Sequence, residues 1–98
     1  MYVINLRYTG NLAEIDDALD AHHDYLQRYL DLGVFVMAGP KVPCDGNMIV
    51  ASTIHRDRLN AIVAEDPLAR QRLAHYDVTE FQATFLRPGI DGSESAEE

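Results

Sequence analysis

The chain has 98 residues, 47% of them hydrophobic and 24% charged, which is room for one domain around one core and too ordinary a composition for disorder. Its formal charge is −8, with eight Lys and Arg against sixteen Asp and Glu. That balance leaves no basic face for nucleic acid or for an anionic membrane, so neither is expected as a partner.

The chain opens with MYVINLRYTG, which lacks the basic region and long apolar run of a signal peptide. With no stretch long enough to span a bilayer, a cytoplasmic protein is expected. Tyr2–Tyr8 is short and rich in β-formers and reads as a first strand, closed by a Thr-Gly-Asn turn. Leu12, Ile15, Leu19, His22, Leu26, Tyr29 and Gly33 then follow in alternating steps of three and four. Such spacing predicts one buried helical face, with Gly33 as its left-handed cap. Asp16, Asp17, Asp20, His23, Asp24 and Gln27 fall on the wetter side.

Val34–Ala38 is a short apolar strand, GPKVPCDGN a loop, and Met48–Ile54 a strand that returns antiparallel. A second helix is expected over Arg56–Asp66, with Leu59, Ile62 and Val63 inward. Asp66-Pro67 looks like the cap and first residue of a further short turn, Leu68–Leu73. His75–Leu86 is expected as the last and longest strand. Residues 1–88 would form the domain and 89–98 a mobile acidic tail. The order β-α-β-β-α-β is the split βαβ pattern of the ferredoxin-like α+β fold, with both helices on one face of a four-stranded sheet. The other face is semi-apolar, which predicts a homodimer packed sheet to sheet with a pocket near the seam.

Chemistry is concentrated in few residues. Neighbouring helical positions are about 100° apart, so only one of His22 and His23 can face the core, and the stripe selects His22. An imidazole there is either a hydrogen-bonded core residue or a general acid/base, the side chain that titrates near neutrality. Asp66 serves either as a helix cap or as the carboxylate that orients His22. Arg7, a cation on the open face of the first strand, fits either a surface ion pair or an anionic group of a substrate. The single Cys44 excludes an intrachain disulfide and a cysteine-rich zinc site, and beside Asp45 it reads as an ordinary loop thiol. The histidines lack ligand spacing, and neither a phosphate loop nor a dinucleotide fingerprint is present, so neither metal nor cofactor is expected.

Taken together, AHHDYLQRYLDLGVFVMAGP, the later DG, and AEDPLARQRLAHYDVTEF resemble the YCII-related (YciI-like) family over about residues 1–88. The shared pattern is a first-helix His, a Gly ending that helix, a strand closing in Gly-Pro, and a late Asp-Pro. The resemblance implies a ferredoxin-like dimeric α/β-barrel and a His-Asp pair that carries out proton transfer or elimination on a small molecule. Counting back seventeen residues from Gly39 gives His22, and Asp66 of Asp-Pro is the matching carboxylate. Gly39 and Pro40 would line the cleft. Leu68 stands where the family more often has an aromatic residue. The expected partner is a small-molecule substrate, with a non-catalytic dimeric binding module as the alternative.

Overall fold

A computed structural model describes residues 1–90. The elements are β1 (Tyr2–Tyr8), α1 (Leu12–Asp31), β2 (Phe35–Pro40), β3 (Gly46–Ala51), α2 (Arg56–Glu65), α3 (Pro67–Arg70) and β4 (Ala74–Glu80). They form one antiparallel sheet in the order β2-β3-β1-β4. This is the α+β ferredoxin-like arrangement expected from the element order. Residues 91–98, most of the expected tail, lie outside the described residues.

The expected barrel is not formed. β2 and β4 are each bonded to a single neighbour and stand as the two edges of an open sheet. The two outer strands do not pair with each other, so the four strands stay an open sheet.

Local chemistry places each element. Asn11 caps α1, its side-chain oxygen accepting from the Ala13 and Glu14 amides at 2.8 and 3.4 Å. At the other end Gly33 takes φ +78°, and the Val34 amide reaches back to the Tyr29 carbonyl at 3.0 Å, closing the helix as a Schellman motif does. The buried stripe of α1 is Ile15, Ala18, His22, Tyr25, Leu26 and Tyr29. Leu12, expected on that stripe, is exposed, because the first turn projects past the core.

Two apolar clusters share the space between helices and sheet. One gathers Tyr2, Ile4, Tyr25, Phe35, Ile49 and Leu59, and the other Leu6, Ile15, Ala18, Leu68 and Leu73. A side chain such as Leu6 or Leu59, wholly removed from water, contributes about 1.5–3 kcal/mol. Along β1, Tyr2, Ile4 and Leu6 point to the helices while Asn5 and Arg7 are exposed on the other face.

The strand limits differ from the sequence expectation for one reason. Pairing stops where a neighbour stops. β4 ends at Glu80, opposite Tyr2, and one more pair of bonds joins Phe81 to Met1 at 2.9 and 2.8 Å, beyond which the β-formers stay outside the sheet. Conversely Gly39, Pro40 and Asn47 join the β2–β3 ladder despite their turn-like composition, since each faces a partner across the hairpin, and Gly46 pairs with Arg7 of β1.

Candidate active site

His22 and Asp66 meet in the helix-covered layer. α2 ends at Glu65, and Asp66 then caps the single turn of α3, its Oδ1 accepting from the Leu68 amide at 3.0 Å while Pro67 occupies the first helical position. From α1, His22 Nδ1 lies 2.8 Å from the same Oδ1. From β4, the Tyr76 hydroxyl donates to Oδ2 at 2.6 Å. Both members of the pair are 0% exposed.

The second ring nitrogen has its own partner. Asn47 of β3 brings Nδ2 to 3.1 Å from His22 Nε2, and the same Nδ2 donates to the Tyr8 hydroxyl of β1 at 3.3 Å. The result is a chain of five side chains, Tyr76–Asp66–His22–Asn47–Tyr8, each from a different part of the fold. Its partners dictate the tautomer. A carboxylate at Nδ1 takes the proton there, so Nε2 accepts from the amide. No buried side-chain nitrogen or oxygen among the described residues lacks a partner.

The phenols around this chain are held protonated. Burial, then the charge of Asp66, then the hydrogen bond to it push Tyr76 well above the usual phenol value of 10.0. Burial followed by the Asp66 charge does the same to Tyr25, whose hydroxyl donates to the Ile62 carbonyl at 2.8 Å. Tyr8 is raised too, by burial and then by nearby Cys44. Phenols in this state remain donors through the whole neutral range.

The YCII-related domain model matches residues 1–82. The chain belongs to the YCII-related family. No curated protein matches it. Among solved structures it is similar to 5-chloro-2-hydroxyhydroquinone dehydrochlorinase from Burkholderia phenoliruptrix AC1100, in complex with 2,5-dihydroxybenzoquinone. The TM-score is 0.70 at 16% identity, over 83% of this chain and 92% of that chain. A likeness at that identity establishes the shared fold.

Within this YCII-related chain, the structure joins His22 to Asp66 and leaves the other candidates elsewhere. Arg7 is exposed on the opposite face of the sheet, paired across the strands with Gly46 and His75. Gly39 and Pro40 line a cavity of about 320 Å³ with Met37, Ala38, Met48 and Val50, and neither is bonded to the pair. His23 and Cys44 are exposed. A separate groove of about 490 Å³ runs between α1 and the α2–α3 junction. Arg28, Arg70, Asp24 and Glu65 line it together with Tyr25 and Pro67, and neither His22 nor Asp66 does. Among the described residues no three or more His, Cys, Asp or Glu gather to hold a metal ion, and no helix is long and apolar enough to cross a membrane.

Asn47, Tyr8 and Tyr76 did not stand out in the sequence. Their signal is phase. Tyr8 and Tyr76 fall in step with the core-facing Leu6 and Val78, and Asn47 with Ile49 and Ala51. A polar group in step with core positions needs a buried partner.

Proposed function

We propose that this protein is a small-molecule enzyme in which His22 Nε2 takes and returns a proton while Asp66 holds the Nδ1 hydrogen. One observation carries the reading: a fully buried imidazole lies 2.8 Å from a fully buried carboxylate, and its other nitrogen meets a side-chain amide instead of main chain. A side-chain amide can be turned aside by a substrate hydroxyl, whereas main chain cannot. With a substrate proton transferred to Nε2, the electron pair left behind forms a new double bond. Either a leaving group departs as an anion, which is elimination, or the proton is returned to a different atom, which is isomerisation. The imidazolium formed in between is stabilised by Asp66, and Tyr76 and the Leu68 amide keep that carboxylate in place.

The fold shared with a dehydrochlorinase that holds 2,5-dihydroxybenzoquinone makes hydroxylated ring compounds the first substrate class to test. General acid/base catalysis contributes about 10²–10⁴ in rate. His22→Asn should therefore lose turnover by about 100-fold or more while keeping its circular dichroism spectrum. Full turnover in a folded His22→Asn protein overturns the assignment.

A second reading, a binding module without chemistry, is favoured by the groove of about 490 Å³, whose lining does not include the His22 ring. Equal affinity of the native chain and His22→Asn for a ring compound recovered unchanged would select it. The exposed sheet face bears Met37 and Met48 with the half-buried Val3 and Val50, and we propose that a second copy of the chain covers it. Sedimentation of a monomer at micromolar concentration overturns that proposal.

A further inference from the structure

A buried imidazole that cycles between two protonation states meets a difficulty at the nitrogen that changes. With Nε2 unprotonated, it needs a donor, and Asn47 Nδ2 supplies one at 3.1 Å. Once protonated, the same nitrogen needs an acceptor, and an amide N–H facing it would be repulsive. Water cannot make up the difference, because the ring is 0% exposed. An unsatisfied buried donor is destabilising, and more so when it is charged.

Asn47 can present either group. Turning its amide about 180° places Oδ1 where Nδ2 was, with almost no change of shape. The neighbour that must adapt is Tyr8, 3.3 Å from Nδ2. A hydroxyl accepts from Nδ2 in one state and, by rotating its own hydrogen, donates to Oδ1 in the other. Asp66 needs no such change, since it accepts from Nδ1–H in both states.

We propose that Asn47 is a positioning residue whose amide reverses as His22 gains or loses its proton, with the Tyr8 hydroxyl following. This inference deepens the proton-transfer reading above and rests on it for its role in turnover. The proton on Nε2 comes from substrate or solvent, admitted while the Asn47 amide is turned aside, and Asn47 itself neither gains nor loses one. Strand β3 supplies the amide and β1 the hydroxyl, so both are held by the central strand pair of the sheet. The ionisable groups around the ring are Asp66 at the α2–α3 junction, with Tyr76 of β4 behind it. Tyr25 and His23 of α1 have ring centroids 6.3 and 5.9 Å away, and Tyr8 of β1 has Cys44 and Asp16 in its own surroundings. Of all these, Asn47 and Tyr8 form the branch that begins at Nε2.

The test is nuclear magnetic resonance on the ¹⁵N-labelled chain, followed from about pH 5 to pH 9. The expected result is a neutral His22 protonated at Nδ1 alone, with the Asn47 side-chain NH₂ signals moving at the same midpoint as the ring. An Asn47→Asp variant, which can only accept, should raise that midpoint by about one pH unit or more. Tyr8→Phe removes the adaptable hydroxyl from both states, and the Asn47 signals should still move with the ring. A ring frozen in one state, a neutral ring protonated at Nε2, or Asn47 signals that ignore the His22 titration would each overturn the proposal. The two readings fail separately. If Asn47 and His22 titrate together but His22→Asn keeps full turnover, the reversal stands and the enzyme does not. If turnover needs His22 while Asn47 stays still, only the reversal is lost.

Discussion

Glu65 and Asp66 are consecutive residues, and each holds a basic side chain of α1. Glu65 meets Arg28 at 2.6 Å and Asp66 meets His22 at 2.8 Å. The distances are nearly equal, yet the surroundings are opposite. The Arg28–Glu65 side chains are 59% and 45% exposed, and those of the His22–Asp66 pair are 0% exposed. Water and salt screen the first pair, and two flexible side chains lose freedom to form it, so its net contribution is small. The second is beyond the reach of solvent, and every polar atom it exposes to the interior must be answered by the protein. One peptide step therefore separates a surface contact from a built site.

The comparison can be broken most severely at Asp66. Asp66→Ala strips the acceptor from His22 Nδ1, the Tyr76 hydroxyl and the Leu68 amide together, and urea unfolding should show a loss of about 3–5 kcal/mol. Asp66→Asn, which keeps one oxygen, should fall between that variant and the native chain. Next in size is Tyr76→Phe, which removes a single hydrogen bond to a charged group and should cost about 1.5–3 kcal/mol by the same measurement.

Alkali sharpens the contrast from another side. Tyr76 and Tyr25 are both raised above the phenol value of 10.0, so above that pH the unfolded chain releases protons that the folded chain keeps. The stabilisation is complete below pH 10.0 and is lost as pH climbs toward the higher folded values. Stability should therefore fall between pH 10.0 and about pH 11, and Tyr76→Phe should remove its share of that decline. The smallest effect is expected at the exposed pair. Glu65→Gln, which keeps an acceptor for the Tyr29 hydroxyl, should change urea unfolding least of all these variants, and the difference should fade in high salt.

Much of this was legible before any coordinates. The three-four spacing from Ile15 to Tyr29 marks a helix face, and it singles out His22 over His23 because side chains one residue apart cannot share a face. Asp66-Pro67 reads as a cap, which is what it is. The strand limits were less readable, because pairing depends on where the neighbouring strand ends, and composition holds no record of that. β4 was expected to run to Leu86 and stops at Glu80. The amide at Nε2 was hidden for the same reason: Asn47 follows Asp-Gly and has the composition of a turn, and only its pairing with Leu6 turns it inward. The dimeric barrel, implied by family resemblance, is not what an open four-stranded sheet presents.

Gly46 immediately precedes that amide and lies opposite Arg7 on β1. A methyl group at this position would collide with the Leu6 carbonyl oxygen and crowd the Arg7 backbone. β1 and β3 would have to part, carrying Asn47 away from the imidazole. A mutation as mild as Gly46→Ala would thus act as a remote lesion, breaking the contact at His22 Nε2 from a residue outside that contact. Surveys of laboratory variants should count this glycine among the positions where even one added methyl group is not tolerated.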